Sequence, residues 1–269
     1  MSVAESGLVP PPDAELGRLS PRQREMLRLV RAQGRLAVAA LAERLQVSEE
    51  TVRRDVRPLA AEGLVRKMHG AVMLPDPVTE PPLKRRMLEN VDGKSRIARL
   101  AAAQIEDGES VMLDTGSTTI FVARELAARR GLMVVTNSTD AARILLGGEG
   151  AQVFLAGGEM RADDGAVFGP QATAFVGQFV ARTAILSIGA IDAEHGLTDY
   201  HVREAEFSQA LIGRADRVVV VADHSKFRRR GFARVCGFDR IDMLITDEAP
   251  PEDAAARLAE SGVKVLVAE

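Results

Sequence analysis

Hydrophobic residues in the N-terminal part of the chain recur at the three- and four-residue spacing of amphipathic helices. Ser20 and Pro21 have the residue types that begin a helix, and Gly34 and Gly63 have the type that ends one. The predicted elements are a helix over 20–34, an extended piece over 35–38, helices over 39–46 and 48–62, and a two-stranded hairpin over 64–74. Three short helices and a trailing hairpin are typical of a winged helix-turn-helix fold.

The third predicted helix has two different faces. Val52, Val56 and Leu59 lie four and three positions apart, so they share a face that can be buried. The opposite surface carries arginines, which reach DNA phosphates or guanine edges. One apolar and one arginine-rich face are what a DNA recognition helix needs. The residues predicted to contact DNA are Ser48, Thr51, Arg53, Arg54 and Arg57 of this helix and Lys67 and His69 of the hairpin.

Two residues of this helix are unusual for a DNA reader. Pro58 lacks the amide that would bond to the carbonyl of Arg54, which predicts a kink beyond the base-facing turns. Asp55, an acid among arginines, is predicted to orient one of them rather than to contact a base. The sequence leaves open which arginines contact bases and which contact phosphates.

From about residue 93 the pattern changes to short apolar runs that alternate with helical segments. This alternation predicts an α/β domain with a largely parallel sheet. The predicted strands cover 110–113, 132–135, 152–155, 183–187, 217–222, 243–245 and 264–267. The predicted helices cover 94–104, 119–128, 139–146, 173–179, 202–213 and 251–260.

Prolines divide the chain further. Residues 1–17 contain three consecutive prolines and few apolar residues, so they are predicted to be disordered. Prolines at 75, 77, 81 and 82 predict a stiff linker, followed by a basic helical fragment at 84–86 that is either a solvated face or a DNA contact. The predicted domains are 1–17, disordered; 18–76, a mainly α winged helix-turn-helix DNA-binding domain; 77–92, a linker; and 93–269, the α/β domain.

The charge is distributed unevenly along the chain. Residues 18–74 contain 12 Lys and Arg against 6 Asp and Glu, whereas the chain from residue 75 contains 23 basic and 29 acidic residues. A basic module attached to an acidic one predicts that only the first meets a polyanion. The single cysteine, Cys236, excludes an internal disulfide. With no signal-peptide features and no apolar run near the ~20 residues of a membrane span, a cytoplasmic protein is predicted.

Polar and glycine residues follow nearly every predicted strand, where ligands bind in open α/β sheets. Residues 114–119 lead from the first strand directly into a helix, and Gly116 allows a close backbone approach to a ligand. Free amides at the helix start, with serine and threonine hydroxyls, suit a phosphate. Each such loop alone is more often an ordinary turn and helix cap than a ligand site. All of them together favour a pocket.

Two parts of the chain resemble the DeoR family of bacterial transcriptional regulators. The segment 47–56, with 62–66 and 69–71, is similar to the helix-turn-helix of that family, and 93–269 is similar to its effector domain, whose fold resembles ribose-5-phosphate isomerase. The resemblance implies a repressor of a carbohydrate or polyol catabolic operon, which a phosphorylated sugar or polyol releases from a double-stranded DNA operator. The residues predicted to bind this effector are Asp114, Gly116, Ser117, Thr118, Thr119, Asn137, Gly157, Gly158, His201, Glu204 and Lys226.

The chain departs from the family pattern at two positions. Ala71 stands where the family usually has a second glycine, and Ser208 stands where it often has a lysine. By contrast, 155–161, 199–201 and 223–227 are similar to the glycerol-3-phosphate regulon repressors of the family. This similarity predicts glycerol 3-phosphate as the effector.

An enzyme is the alternative function. Asp114, Glu204 and Lys226 are candidates for the acid, base and charge-stabilising groups of a sugar-phosphate isomerase. The attached helix-turn-helix favours a regulator, because a switch needs binding without turnover. No cofactor or metal is predicted, since His195 and His201 lie six positions apart and match no common metal motif. A homo-oligomer, dimer or tetramer, is expected because helix-turn-helix proteins read two half-sites.

Overall fold

The computed structural model describes residues 19–61, 63–68, 70–73 and 80–269, except for the side chains of Arg31 and Ala32. Contacts between residues divide the chain into two units, Met1–Pro77 and Val78–Glu269. The predictions made for residues 1–17, for His69 and for the prolines at 75 and 77 lie outside the described residues.

The N-terminal unit consists of three helices and a small antiparallel sheet. Its elements are α1 (Pro21–Gln33), β1 (Arg35–Ala37), α2 (Val38–Arg44), α3 (Glu49–Ala61), β2 (Arg66–Met68) and β3 (Ala71–Met73). Helix α1 begins with a capping box, in which the side chains of Ser20 and Gln23 each accept a hydrogen bond from the backbone amide of the other residue. Strand β3 pairs with both β1 and β2. The expected winged helix-turn-helix fold is therefore confirmed, with the extended piece near residue 36 as a third strand of the wing.

The predicted apolar face of α3 is buried. Val52, Val56 and Leu59 pack in one core with Met26 and Leu27 of α1 and with side chains of α2. Each such side chain contributes about 1.5–3 kcal/mol of burial free energy, which holds α3 against its two neighbouring helices.

Asp55 corrects one prediction about α3. The Asp55 carboxylate accepts a hydrogen bond from Nε of Arg22 on α1, so it does not orient an arginine of its own helix. The reason is its position: Asp55 follows Val52 by three and precedes Leu59 by four, which places it on the buried face. Helix α3 continues past Pro58 to Ala61 as one helix, and the kink there stays a prediction.

The C-terminal unit is built around a seven-stranded parallel sheet. The strands of the whole unit are β4 (Ser110–Leu113), β5 (Met133–Thr136), β6 (Gln152–Leu155), β7 (Glu159–Met160), β8 (Val167–Phe168), β9 (Ala181–Leu186), β10 (Ala190–Asp192), β11 (Gly196–Asp199), β12 (Ala215–Val221), β13 (Ala233–Cys236), β14 (Met243–Thr246) and β15 (Lys264–Val267). The sheet order is β15-β14-β12-β9-β4-β5-β6, and all six neighbouring pairs are parallel. All seven predicted strands form this sheet.

Helices cover both faces of this sheet. They are α4 (Leu83–Arg86), α5 (Val91–Ala102), α6 (Ser117–Leu126), α7 (Thr139–Leu145), α8 (Pro170–Val176), α9 (Val202–Ile212) and α10 (Glu252–Glu260). Side chains of α5, α6 and α7 share one core with Val111 and Leu113 of β4. Side chains of α8, α9 and α10 share the other core with Met112, which points to the opposite face. The predicted α/β class is confirmed.

Several smaller features differ from the predictions. Helix α8 begins at Pro170 and ends at Val176, three residues earlier than predicted, because proline fits the first position of a helix. The sequence also did not predict the antiparallel sheet β10-β11-β13 or the short pair β7-β8. Among the described residues, no helix has both the length and the hydropathy that a membrane span requires.

Candidate functional site

A pocket lies at the carboxyl ends of β4, β9 and β12, which are neighbours in the large sheet. Ligands of open α/β sheets bind at this edge. Two small adjoining cavities share four lining residues, and we call them together the strand-end pocket. It is lined by Glu80, Arg86, Asp114, Thr115, Ser117, Thr118, Asn137, Phe168, Ser187, Ile188, Gly189, Asp199, Glu204, Phe207, Ser208, Val221 and Lys226.

The loop from β4 into α6 is tightly packed against the loop after β9. A Cβ atom on Gly116 would lie 2.1 Å from Oγ of Ser187, so glycine is required there. Ser187 Oγ donates to the carbonyl of Thr115 at 3.0 Å, and Thr119 Oγ1 donates to the carbonyl of Gly116 at 3.1 Å. Gly116 and Thr119 therefore shape the loop, while Ser117 and Thr118 face the pocket at the start of α6.

One end of the pocket holds two cations around one carboxylate. Lys226 Nζ lies 2.6 Å from Oε1 of Glu80, and Arg86 Nη2 lies 3.3 Å from Oε2 of the same carboxylate. The exposed fractions of the Lys226, Arg86 and Glu80 side chains are 13, 11 and 8%. Burial raises the pKa of Glu80, but Lys226 and Arg86 outweigh it, so the net pKa lies below its ordinary value. Glu80 is thus an ionised carboxylate at neutral pH.

Arg86 has a side-chain contact besides Glu80, and the backbones of Arg86 and Lys226 are each held by other residues. Arg86 Nε donates to the carbonyl of Pro81 at 2.9 Å, and the buried Lys94 donates to the carbonyls of Arg86 and Glu89. Burial lowers the pKa of Lys94 to about 8. Lys226 ends a 3-10 helix, His224–Lys226, which the Asp223 side chain caps by accepting from the amide of Ser225 at 2.9 Å.

The other end of the pocket is lined by carboxyl groups. Asp114 accepts the Ser187 amide, at 3.0 Å from each carboxyl oxygen, and Asp199 accepts the amides of Tyr200 and His201 at 2.6 and 3.2 Å. Burial, followed by Asp199 and Glu204, raises the pKa of Asp114 well above its ordinary value. Burial, Glu204 and Glu80 likewise raise the pKa of Asp199 to about 7. Protonated carboxyls both donate and accept hydrogen bonds, which suits hydroxyl groups of a ligand.

Two further polar atoms of the pocket lack partners. Within the described parts of the chain, Thr115 Oγ1 and Asn137 Oδ1 are buried without a hydrogen bond. Leaving such a group unsatisfied costs about 1–3 kcal/mol, which a ligand with hydroxyl groups would recover.

The structure brings together six of the eleven residues predicted to bind effector. Those that line the pocket are Asp114, Ser117, Thr118, Asn137, Glu204 and Lys226. Gly116 and Thr119 lie behind its wall, and Gly157, Gly158 and His201 are exposed and do not line it. Sequence reasoning missed Glu80, Arg86, Ser187 and Asp199 as pocket residues, and it had placed Glu80 and Arg86 in the linker.

The residues predicted to contact DNA lie on exposed parts of the N-terminal unit, apart from the half-buried Thr51 and from His69, which is not described. Ser48 Oγ caps α3 by accepting the Thr51 amide at 3.2 Å. Arg53 pairs with Glu49 at 2.5 Å and lies 3.8 Å from Glu50. The remaining exposed members are Arg54, Arg57 and Lys67.

Comparison with known families covers both units. The profile of the DeoR-like helix-turn-helix domain matches residues 22–78, and that of the DeoR C terminal sensor domain matches residues 89–248. The HTH-type transcriptional repressor CsqR of Escherichia coli is 31% identical over 92% of this chain and 95% of its own. The glycerol-3-phosphate regulon repressor of Escherichia coli is 32% identical over 91% of this chain and 97% of its own.

An archaeal relative and a solved structure extend the comparison. The HTH-type transcriptional regulator GlpR of Haloferax volcanii is 34% identical over 91% of this chain and 96% of its own. The structure of ribose 5-phosphate isomerase A from Methanocaldococcus jannaschii aligns with 52% of this chain and 55% of its own. That alignment has 18% identity and a TM-score of 0.38.

Proposed function

The chain belongs to the DeoR family of DNA-binding transcriptional regulators, and on that premise we propose that its strand-end pocket binds a phosphorylated sugar or polyol that releases it from DNA. Relatives aligned over nine-tenths of the chain are named as transcriptional repressors, so the chain is a regulator rather than an enzyme. The isomerase alternative is therefore set aside.

The observation that carries this proposal is the division of the pocket into two chemically different ends. Lys226 and Arg86 offer ammonium and guanidinium donors, which bind phosphate oxygens strongly. Asp114, Asp199 and the unpartnered Asn137 oxygen offer acceptors for hydroxyl groups. A phosphate monoester of a polyol has both kinds of group on one small molecule.

Glycerol 3-phosphate is the first effector to test. The sequence segments 155–161, 199–201 and 223–227 support it, as does the name of the glycerol-3-phosphate regulon repressor aligned along nearly the full chain. A second relative, 30% identical, is named a putative aga operon transcriptional repressor, so other sugar phosphates belong in the same screen.

The output of the sensor is the exposed surface of α3 and the wing. Its arginines and Lys67 contact an operator, in a homo-oligomer, dimer or tetramer, that reads two half-sites. The effector must bind the DNA-competent and DNA-incompetent arrangements unequally, because equal affinity would shift nothing. A coupling of about 1–3 kcal/mol changes operator affinity by about 5- to 150-fold.

The test starts from an operator selected with the purified protein from a pool of randomised DNA duplexes. Glycerol 3-phosphate, glycerol, inorganic phosphate and a panel of sugar phosphates are then compared for their effects on thermal unfolding and on operator affinity. We expect one phosphorylated polyol or sugar to raise the melting temperature and release the operator, while glycerol does neither. If no phosphorylated compound changes either property, the proposed ligand class is wrong.

A further inference from the structure

Glu80 occupies the part of the strand-end pocket that a phosphate group needs. Its two carboxylate oxygens contact Lys226 and Arg86 separately, as two oxygens of a phosphate would. We propose that Glu80 is a resident anion of this site, meaning a carboxylate of the protein itself that the effector's phosphate displaces when it binds Lys226 and Arg86. This inference rests on the proposed function.

The contacts that hold Arg86, Lys226 and Glu80 in place differ in a way that favours displacement of Glu80. Arg86 lies on α4 with its carbonyl bound by Lys94, and Lys226 lies in a 3-10 helix capped by Asp223, so neither backbone depends on the Glu80 carboxylate. Glu80 lies outside helix and strand, and its recorded contacts within the described residues are those of its side chain. Among the described residues, displacement of Glu80 therefore breaks the two ion pairs of its carboxylate.

Charge balance points the same way. Lys226 and Arg86 together carry one more charge than the single carboxylate that they both contact. A phosphate monoester carries about −1.5 to −2 charges near pH 7, since its second pKa is about 6. Glu204, another carboxylate that lines the pocket, is already paired with Arg161. A phosphate therefore matches Lys226 and Arg86 better than Glu80 does.

Glu80 lies early in the C-terminal unit, three residues after Pro77, where the two units divide. The proposed exchange of anions therefore takes place at a residue near the start of the sensor unit.

The test compares Glu80→Gln with Glu106→Gln as a matched control. Glu106 forms an exposed ion pair with Arg182 at 3.3 Å and does not line the pocket. Both variants lose one negative charge, but Glu80→Gln loses two buried ion pairs and Glu106→Gln loses one exposed pair. Calorimetric titrations use glycerol 3-phosphate and, separately, inorganic phosphate. We expect Glu80→Gln to bind both at least about tenfold more tightly than the wild type, because a charged hydrogen-bonded competitor has been removed. Glu106→Gln should match the wild type.

The two ligands separate failure of this proposal from failure of the proposed function. Wild-type binding of glycerol 3-phosphate with unchanged or weaker binding by Glu80→Gln would overturn the role of Glu80 alone. If only inorganic phosphate binds, and binds more tightly to Glu80→Gln, Glu80 is the resident anion and the polyol class is wrong. Binding of neither ligand to either protein overturns both. Should Glu80→Gln unfold, Glu80→Asp keeps the charge with a shorter reach, and a gain in phosphate affinity is expected there too.

Discussion

The two regions of this molecule that are proposed to bind anions contain the same kind of ion pair in opposite surroundings. On α3, Arg53 pairs with Glu49 while both side chains remain about half exposed, at 52 and 46%. In the strand-end pocket, Lys226 and Arg86 pair with Glu80 in a nearly closed environment. In each region a carboxylate of the protein forms an ion pair with a cationic side chain that is proposed to bind the phosphate of a ligand.

Burial decides how the internal carboxylate behaves in each region. An exposed ion pair contributes about 0–1 kcal/mol and is screened over about 8–10 Å at ordinary ionic strength. DNA phosphates can therefore replace Glu49 with little loss. A buried pair is screened far less, so an effector must overcome Glu80 by specific contacts. The surface region suits affinity that varies with salt, and the buried region suits a switch.

Removing the pocket lysine should produce the largest effect. Lys226→Ala deletes one of the two proposed phosphate contacts and leaves Glu80 with Arg86 alone. We expect glycerol 3-phosphate to bind about 100-fold more weakly, because truncating one partner of a buried charge pair costs about 2–5 kcal/mol. Operator binding should persist without release by effector, measured by fluorescence anisotropy of labelled operator.

The control for Lys226→Ala is Lys264→Ala, an exposed lysine of β15 outside the pocket. Its operator complex should dissociate with effector as the wild type does. An operator complex of Lys226→Ala that still dissociates normally would remove Lys226 from the site. The double variant with Glu80→Gln restores charge balance if the single variant proves unstable.

The exposed arginines should give the next largest effect. Arg53→Ala and Arg54→Ala should each weaken operator binding about 5- to 150-fold, the range for one lost base contact at about 1–3 kcal/mol. Arg28→Ala is the matched control, since Arg28 is also exposed and paired with a glutamate of its own helix, at 2.6 Å from Glu25. It should change operator affinity less than about twofold, as surface pairs contribute little. Unchanged operator affinity in both α3 variants would contradict the assignment of the recognition helix.

The acidic end of the pocket predicts a dependence on pH that α3 does not. Since the pKa of folded Asp199 is about 7, above the ordinary 3.8, the native state binds more protons than the unfolded state between these values. Asp199 therefore stabilises the fold at low pH, and this contribution is lost as pH rises through about 7. Asp199→Asn removes it, so the melting temperatures of variant and wild type should diverge by up to about 2–4 °C per pH unit between pH 5 and 7. A constant difference across that range would show that Asp199 titrates normally.

The sequence predicted the regular parts of the fold because their signals are local. Seven apolar runs marked the seven parallel strands, and the spacing of Val52, Val56 and Leu59 marked the buried face of α3. Strands β10, β11 and β13 have only three or four residues each, too few for a local period to identify them, and β11 pairs with β13 across more than thirty positions. Asp55 was misread for a related reason: its partner, Arg22, lies 33 positions away.

The candidate site was predictable only where loops follow strands. Asp114, Ser117 and Lys226 were found because the ends of parallel strands meet at one edge. Glu80 and Arg86 could not be found in this way, since they lie in a proline-rich segment whose composition indicates a linker. Their position against Lys226, 146 positions beyond Glu80, depends on how the whole unit folds.

The smallest effect is expected from Glu49→Gln, the substitution on the exposed surface of α3 that corresponds to Glu80→Gln in the pocket. Glu49→Gln frees Arg53 from its nearest carboxylate, as Glu80→Gln frees Lys226 and Arg86. Since the exposed pair is weak and Glu50 lies only 3.8 Å from Arg53, operator affinity should rise by no more than about fivefold. This gain should shrink as salt is raised from about 0.1 to 1 M, where the screening length falls from about 10 to 3 Å. An operator gain as large as the phosphate gain of Glu80→Gln would show that burial does not separate the two regions.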